Sequence, residues 1–310
     1  MGAGTAEPIA VGAGAVQPIR RVRIRAWHDC GVAELNRPTI WIDGVLYADS
    51  DQALIPADDH GLVAGDGVFE TCKIEPWGAF ALGLHIQRLQ HSAKTLGLPT
   101  PDESEVRAGV AAVLAVREFD YGRLRITWTG GVGPLSSGHA FGPPRLIVAA
   151  SSASRASGPG RLATVPWTRN PDDPLSGIKT TSYAGNVRAL AWAHDRGADE
   201  ALFCNTRGEV CEASGSNIFL VFGDRVVTPT LAAGPLAGIT RRCVIEQSGA
   251  EEADLSLAEA KKADEVFLTG SLRDVHPIVD WDGQLWEVGP VTSAVAKEFA
   301  ARSAADPDPR

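Results

Sequence analysis

The sequence has little positive charge and few aromatic residues, and each shortage excludes a class of function. Lysine and arginine together number 29 against 38 acidic residues, which gives a formal net charge of −9 over 310 residues. Proteins that bind nucleic acids or acidic membranes usually present a basic face, so this balance argues against both kinds of partner. Aromatic residues make up 6% of the chain, and none alternates with basic residues as a base-stacking surface requires.

Cysteine and long apolar runs are equally sparse. The five cysteines are odd in number and no two have the C-x-x-C spacing, so we expect free thiols in a reducing cytoplasm and no metal site. No apolar segment approaches the roughly 20 residues of a membrane span. The N-terminus lacks the basic start and apolar core of a secretory signal. These absences predict a cytoplasmic globular protein with no membrane partner.

The order of the predicted elements indicates an α+β fold with two domains, because strands group with turns and helices stand apart. We predict an N-terminal extension over residues 1–36, a small α/β domain over 37–150 and a larger, β-rich domain over 161–310. The small, polar run over 151–160 reads Ser-Ser-Ala-Ser-Arg-Ala-Ser-Gly-Pro-Gly, which is typical of a linker.

Hydrophobic periodicity and turn residues predict the individual elements. In the small domain we expect a hairpin around Asp43-Gly44, strands over 68–74, 122–129 and 145–150, and helices over 84–96 and 102–117. In the larger domain we expect strands over 162–166, 200–204, 209–212, 217–221, 226–228, 265–269 and 275–279, with helices over 183–196, 240–248, 256–262 and 290–302. The pattern also predicts a short edge strand near 20–26 and a frayed tail over 304–310.

Lysine is rare in this chain, and one lysine stands apart from every other charge. Of the six lysines, Lys179 lies in the run Ser-Gly-Ile-Lys-Thr-Thr-Ser-Tyr, which has no other charged residue. Desolvation in such a setting lowers the pKa of an ammonium group, and the neutral amine is a nucleophile suited to an aldehyde cofactor. An ordinary surface lysine is the competing interpretation of this run alone.

Other residues offer the contacts that a charged cofactor needs. Gly238, Ile239 and Thr240 begin a predicted helix, where free amide groups bind anions; plain helix capping is the alternative. The turn Thr269-Gly270-Ser271-Leu272 ends a strand. Its backbone amides can point together at a phosphate or carboxylate, and the alternative is an ordinary strand end without a ligand. Arg88 can pair with a phosphate bidentately or lie on a solvated helix face. Glu212, at a strand end, can hold a protonated ring nitrogen or be a plain turn residue.

Together these residues resemble the class IV, fold-type IV family of enzymes that depend on pyridoxal 5′-phosphate (PLP). The family includes branched-chain aminotransferases, D-amino-acid aminotransferases and 4-amino-4-deoxychorismate lyases. The matching segments occur in the family's order between about residues 39 and 290. They are Asp66-Gly67-Val68-Phe69-Glu70, His85-Ile86-Gln87-Arg88-Leu89, Ile178-Lys179-Thr180, Ala198-Asp199-Glu200-Ala201-Leu202, the run from Glu212 to Phe219, Gly238-Ile239-Thr240-Arg241 and Ala263-Asp264-Glu265-Val266-Phe267.

The resemblance implies a two-domain, D-amino-acid-aminotransferase-like fold and a role for each matching residue. Lys179 is expected to carry PLP covalently and to act as the base, and Glu212 to face the pyridine nitrogen. The other residues expected to bind the cofactor are Arg88, Tyr183, Ser216, Asn217, Gly238, Ile239, Thr240 and Ser271. The residues expected to contact the substrate are Phe69, Arg125 and Leu272. Relatives form homodimers, so a homodimer is expected here.

The sequence indicates the reaction less specifically than it indicates the cofactor. The segments Tyr183-Ala184-Gly185-Asn186-Val187 and Gly130-Gly131-Val132-Gly133-Pro134-Leu135 are most similar to bacterial aminodeoxychorismate lyases. They favour conversion of 4-amino-4-deoxychorismate to 4-aminobenzoate and pyruvate, a step of folate biosynthesis. The alternative is an aminotransferase for D-amino or branched-chain amino acids with 2-oxoglutarate. A non-catalytic scaffold is a third interpretation, which the intact set of Lys179, Glu212 and Arg88 argues against.

Overall fold

A computed structural model of the chain describes residues 37–47 and 50–310, which form two β-sheets with helices packed against them. This arrangement confirms the α+β class. The predicted edge strand near residues 20–26 and the N-terminal extension lie outside the described residues. The division into a small domain, a linker and a larger domain stays a prediction.

The first sheet has six antiparallel strands in the order β2-β1-β6-β5-β3-β4. The elements of this part of the chain are β1 (Thr39–Ile42), β2 (Val45–Tyr47), α1 (His60–Val63), β3 (Gly67–Glu75), β4 (Gly78–Ala79), α2 (Leu82–Leu96), α3 (Glu103–Leu114), β5 (Gly122–Thr129) and β6 (Arg145–Ser152). A 3₁₀ turn covers Ser50–Gln52.

The second sheet has nine strands and is mixed. Its order is β12-β11-β10-β13-β14-β7-β8-β9, with β15 paired to β14, and β7 runs parallel to both of its neighbours. The elements are β7 (Gly160–Thr164), α4 (Ala184–His194), β8 (Glu200–Cys204), β9 (Val210–Ala213), β10 (Asn217–Phe222), β11 (Arg225–Thr228), α5 (Ile239–Ser248), β12 (Glu251–Glu252), α6 (Leu257–Ala260), β13 (Glu265–Gly270), β14 (Asp274–Trp281), β15 (Gln284–Leu285) and α7 (Pro290–Ala305), with a 3₁₀ turn over Leu231–Ala233.

Alternation along the strands decides which face of the six-stranded sheet is buried under helices. Successive strand residues point to opposite faces, and on β3 and β5 one set packs into a core with α2 and α3. That core includes Val68, Cys72, Ile74, Leu124, Ile126 and Trp128 from the strands and Ile86, Leu89, Val106 and Val110 from the helices. The opposite face of these two strands is therefore left for other contacts.

Two polar contacts join the two halves of the chain near β3 and β5. The ammonium group of Lys73, which is 2% exposed, donates to Asp274 at 2.8 Å across the two sheets. The Tyr121 hydroxyl donates to the carbonyl of Leu272 at 2.9 Å. Burial raises the pKa of Asp274, and the charge of Lys73 opposes that rise. A buried carboxylate with a cationic partner is costly to leave unpaired, so the pair favours this docking of the sheets.

The C-terminal tail is ordered by contacts with α2, and the expectation that it frays from residue 304 is wrong. Helix α2 begins after Ala81, which provides no side-chain cap. The tail supplies the missing acceptors: the Pro307 carbonyl accepts from the Ala81 amide at 2.8 Å, and Asp308 accepts from the Gly83 amide at 2.7 Å. Free amides at a helix start need acceptors, and here a distant segment provides them, which local pattern cannot indicate.

The longer elements match the predicted ones within a few residues, and the differences have local causes. Helix α3 begins after its cap Asp102 and ends at Leu114, three residues before the predicted end. The two- to four-residue elements α1, β4, β12 and β15 were absent from the prediction because they are too short to show a period. Within the part of the chain that is described, no helix has the length and apolar character needed to cross a membrane.

Candidate active site

A cavity of about 670 Å³ lies against the exposed face of β3 and the N-terminal end of α5. Every residue that the sequence nominated for cofactor or substrate contact lines this cavity. These residues are Phe69, Arg88, Arg125, Lys179, Tyr183, Glu212, Ser216, Asn217, Gly238, Ile239, Thr240, Ser271 and Leu272. They come from strands of both sheets, from helices α2 and α5, and from four connecting segments, so residues that are distant in the sequence meet in the folded chain.

Lys179 is presented by a segment that pairs with the start of β3 as a short extra strand. The Phe69 amide donates to the Lys179 carbonyl at 2.9 Å, and the Thr181 amide donates to the Gly67 carbonyl at 2.8 Å. The hydroxyls of Thr181 and Ser182 both donate to the Gly65 carbonyl, at 2.9 and 3.1 Å. The segment is thus fixed to the six-stranded sheet by hydrogen bonds at the lysine carbonyl and at the two residues that follow Thr180.

The amine of Lys179 lies among aromatic rings and cations. Its Nζ is 4.5 Å from the centroid of Phe69 and 5.4 Å from that of Tyr183, and the two rings meet edge to face at 5.2 Å. Burial, followed by the positive charge of Arg88, lowers the pKa of Lys179 to about 8. Far more of this amine is therefore neutral near physiological pH than of an ordinary lysine, although the protonated form still predominates, and this supports the nucleophile predicted from the sequence.

Glu212 lies at the end of β9 within a set of donors. It accepts from the Leu236 amide at 2.9 Å and from Asn217 Nδ2 at 3.3 Å, and it forms an ion pair with Arg169. Sequence reasoning missed Arg169, because the nine residues between it and the lysine carry no periodic signal. Three donors converge on this carboxylate, which fixes its orientation toward the cavity.

The start of α5 and the turn after β13 form an anion cradle. Helix α5 has no side-chain cap at Gly238, so the amides of its first turn are free for an anion. A Cβ on Gly238 would lie 1.9 Å from Asn217 Oδ1, so only glycine fits there. Thr269 Oγ1, beside Ser271 at the cavity, is buried without a hydrogen-bond partner. A phosphate group would satisfy these donors.

Arg88 lies at the cradle, where it is held by a buried acid and is not on a solvated helix face. Its Nε and Nη2 donate to the buried Glu70 at 2.8 and 2.7 Å, and its Nη1 donates to the Ala237 carbonyl at 2.9 Å. Burial raises the pKa of Glu70, but Arg88 and His85 outweigh this effect and lower it to about 2. Arg88 is therefore held charged at the cradle, with two of its five N–H groups left for an anion.

The predicted substrate residues lie on the sheet side of the lysine. The guanidinium of Arg125 stacks 3.8 Å from the centroid of Phe69 and donates to the Thr127 hydroxyl at 3.2 Å. The Tyr183 hydroxyl donates to the Ser214 carbonyl at 3.3 Å, and burial followed by the charge of Glu212 raises its pKa to about 12. Tyr183 therefore stays protonated and can donate at neutral pH.

Ser216 contacts a buried acid as well as the cavity. Its hydroxyl is 3.5 Å from a Glu200 oxygen, and the Gly215 amide donates to the same carboxylate at 2.8 Å. Glu200 also pairs with Arg273 at 3.1 Å. Glu200 thus shapes the turn that carries Ser216, a function that sequence reasoning did not assign to it.

Comparisons with known proteins agree with this geometry. The profile of the amino-transferase class IV family matches residues 67–281. The chain belongs to this family. It is 33% identical over 273 residues to a protein of Methanocaldococcus jannaschii named as a branched-chain-amino-acid aminotransferase, covering 84% of this chain and 94% of the relative. It is 27% identical to the aminodeoxychorismate lyase of Bacillus subtilis, covering 77% and 85%.

Solved structures give the same family. The crystal structure of the branched-chain aminotransferase from Thermoproteus uzoniensis with norvaline superposes with a TM-score of 0.78 at 30% identity, covering 84% of this chain and 93% of that one. Class IV aminotransferases are PLP-dependent enzymes, so this chain is one too. The free amides at α5, the unpartnered Thr269 hydroxyl and the neutral amine of Lys179 fit that cofactor.

Gly65 tests whether the pairing of the lysine segment with β3 positions the site. Gly65 has φ of +69°, and a Cβ there would lie 2.4 Å from Ser182 Oγ. We expect Gly65→Ala to destabilise the protein by about 2 kcal/mol and to lower the PLP bound per chain. Gly44→Ala is the matched control, since Gly44 has φ of +92° but no atom within 4 Å of its Cβ. Urea unfolding and cofactor content measure both effects, and equal losses in the two variants would contradict the proposed clash.

The pKa of Lys179 predicts how cofactor attachment depends on pH. The neutral amine is the reactive form, so the rate at which PLP attaches to the apoenzyme should rise with pH and level off above about 8, the lowered pKa, instead of above 10.5. Arg88→Met removes a nearby positive charge and should move the midpoint upward. Arg302→Gln, at an exposed position, should leave it in place. Stopped-flow absorbance across pH 6–11 measures the midpoint, and a wild-type value near 10.5 would refute the assignment.

Proposed function

We propose that the enzyme is a 4-amino-4-deoxychorismate lyase, which releases 4-aminobenzoate and pyruvate. One observation carries the proposal: the amine of Lys179 and the guanidinium of Arg125 lie against the same ring, at 4.5 and 3.8 Å from the centroid of Phe69. A base and a carboxylate-binding group are therefore held close together, beside a flat aromatic surface. This arrangement suits an anionic ring substrate better than a branched aliphatic side chain, which would need apolar walls.

We further propose which part of the cofactor each residue contacts. Lys179 holds PLP covalently, Glu212 faces the pyridine nitrogen, and Tyr183 lies by the phenolic oxygen. The amides of Ile239 and Thr240 bind the phosphate together with Arg88 and Ser271, while Gly238, Ser216 and Asn217 shape the surrounding wall. When bound, the cofactor ring withdraws electrons from the substrate carbon that carries nitrogen and makes its proton acidic.

In the proposed reaction, Lys179 takes that proton once the substrate amine has displaced it from the cofactor, and Arg125 holds a ring carboxylate. As the proton moves to Lys179 Nζ, the C–O bond to the enolpyruvyl group breaks and the ring becomes aromatic. The released enolpyruvate takes up one proton to give pyruvate. Phe69 and Leu272 line the substrate space, and fixing the substrate over Lys179 favours transfer at one carbon.

An aminotransferase is the second candidate, and a specific observation favours it. The relatives from M. jannaschii and T. uzoniensis, which are 33% and 30% identical to this chain, are named as branched-chain aminotransferases. Amino transfer from D-amino or branched-chain amino acids to 2-oxoglutarate would use the same cofactor residues. Those residues support both reactions equally, so the substrate must be tested directly.

A two-substrate assay separates these candidates. We expect purified enzyme with bound PLP to release equal amounts of 4-aminobenzoate and pyruvate from 4-amino-4-deoxychorismate, faster than it transfers amino groups from D-Ala or L-Leu. Lys179→Ala should lower the rate by about 10³-fold, because a positioned base contributes about that much, and Arg302→Gln should leave it unchanged. Amino transfer without 4-aminobenzoate formation would reject the lyase and support the second candidate.

We also propose that the enzyme works as a homodimer in the cytoplasm. Leu62, Leu135 and Phe141 are 64%, 81% and 75% exposed, and they lie on α1 and on the loop after β5. His60 ties these two segments together, with its Nε2 at 2.9 Å from the Pro134 carbonyl. An apolar patch of this kind is typical of a protein interface.

If this apolar patch is the dimer interface, charged substitutions in it should change the oligomeric state. The double substitution of Leu135 and Phe141 by aspartate should convert a dimer to a monomer, because it would bury negative charges of both subunits in the interface. Leu285→Asp, at a residue 75% exposed on the short strand β15, is the control and should leave the dimer intact. Light scattering measures the mass, and a wild-type monomer would disprove the proposal.

A further inference from the structure

Asn186, which has no role in the proposed reaction, lies between two parts of the cavity wall. It is the third residue of α4 and lines the cavity. Its Nδ2 donates to the carbonyl of Ser214 at 2.6 Å, and its Oδ1 accepts from Nη2 of Arg169 at 3.3 Å. The amide thus donates at one end and accepts at the other, and it satisfies both partners in only one orientation.

On one side, Asn186 orients the guanidinium that holds Glu212. Arg169 forms its ion pair with Glu212 through Nη1, and the guanidinium stacks 4.2 Å from the centroid of Phe203. The contact with Asn186 uses the other terminal nitrogen, Nη2. Because a guanidinium is planar, fixing both terminal nitrogens fixes the whole group and the carboxylate that is bound to it.

On the other side, Asn186 holds a carbonyl that Tyr183 also uses. The Ser214 carbonyl accepts from the Tyr183 hydroxyl at 3.3 Å as well as from Asn186. Ser214 lies in the turn between β9 and β10, where its own hydroxyl donates to the buried Glu200. The turn is therefore fixed at two atoms of the serine, and its carbonyl offers the Tyr183 hydroxyl an acceptor in a defined place.

We propose that Asn186 is a positioning residue, which holds Glu212 and Tyr183 in fixed positions relative to each other on the cofactor ring. It acts on the carboxylate through Arg169 and on the hydroxyl through the Ser214 carbonyl. The proposal rests on the proposed contacts of Glu212 and Tyr183 with the ring of PLP, and it is independent of which reaction follows. The anion cradle lies outside this network of hydrogen bonds.

Substitutions of Asn186 test the coupling, with the dissociation constant of PLP at pH 8 as the measurement. Asn186→Leu removes both hydrogen bonds and should weaken PLP binding at least about tenfold. Asn186→Asp keeps the shape and the contact with Arg169, but it sets an oxygen that cannot donate against the Ser214 carbonyl, so it should weaken binding as much. Gln284→Glu makes the same change of amide to carboxylate at an exposed residue of β15 and should leave binding unchanged.

Inorganic phosphate separates positioning from a general loss of structure. Phosphate alone binds the anion cradle, so its affinity for the full chain freed of cofactor should be the same in the wild type and in both Asn186 variants. Arg88→Met, which alters the cradle, should lower it. In a protein that already has Glu212→Gln and Tyr183→Phe, Asn186→Leu should cause no further loss of PLP affinity, because groups that act through one another are not additive.

Absorbance of the bound cofactor gives a second measurement. A hydroxyl donor at the phenolic oxygen and a protonated pyridine both favour the deprotonated form of the link between PLP and Lys179. The pH at which the absorption band changes should therefore rise in both Asn186 variants and stay in place in Gln284→Glu. A residue that only fills space would leave this pH unchanged.

Equilibrium dialysis gives the dissociation constants of PLP and of phosphate for each variant. The proposal is overturned if Asn186→Asp binds PLP as tightly as the wild type, if phosphate binding falls together with PLP binding, or if the tenfold loss persists without the Glu212 carboxylate and the Tyr183 hydroxyl. If Glu212→Gln and Tyr183→Phe themselves leave PLP binding unchanged, the proposed contacts of these two residues are rejected as well. The failure of the positioning role and the failure of the cofactor contacts are therefore distinguishable.

Discussion

The site depends on one local interaction, the pairing of the Lys179 segment with the start of β3. Hydrogen bonds from Phe69 and Thr181 fix the lysine backbone to a sheet that is itself fixed by its helices. The same pairing puts Phe69 under the amine, so the ring that supports Arg125 also desolvates the nucleophile. Gly65 and Gly67 permit this approach, because any side chain at either position would meet the lysine segment.

The two sheets contribute different surfaces to the cavity. The nine-stranded sheet and α5 supply Glu212, Ser271 and the free amides at Thr240, which are groups suited to a phosphorylated, protonated ring. The six-stranded sheet supplies Phe69 and the arginines of β5. The cofactor would therefore lie mainly against one sheet and the substrate against the other. The ties between Lys73 and Asp274 and between Tyr121 and Leu272 keep the surfaces in register.

The sequence predicts the parts of this site that local chemistry determines. Lys179, Glu212 and the start of α5 are recognisable from motif and periodicity, and all of them line one cavity. Arg169 and Glu70 are not recognisable in this way, because their importance comes from partners 18 or more residues away. The order of the C-terminal tail is unpredictable for the same reason, since Asp308 caps a helix 225 residues earlier in the chain.

Charge distinguishes the cofactor residues from the arginines of β5. The arginines near the proposed phosphate and pyridine positions are neutralised by Glu70 and Glu212, so those positions respond to the cofactor, which every reaction of the family shares. Arg123 and Arg125 have no carboxylate among the described residues, in a chain whose formal net charge is −9. A cationic patch within an acidic protein attracts small anions locally.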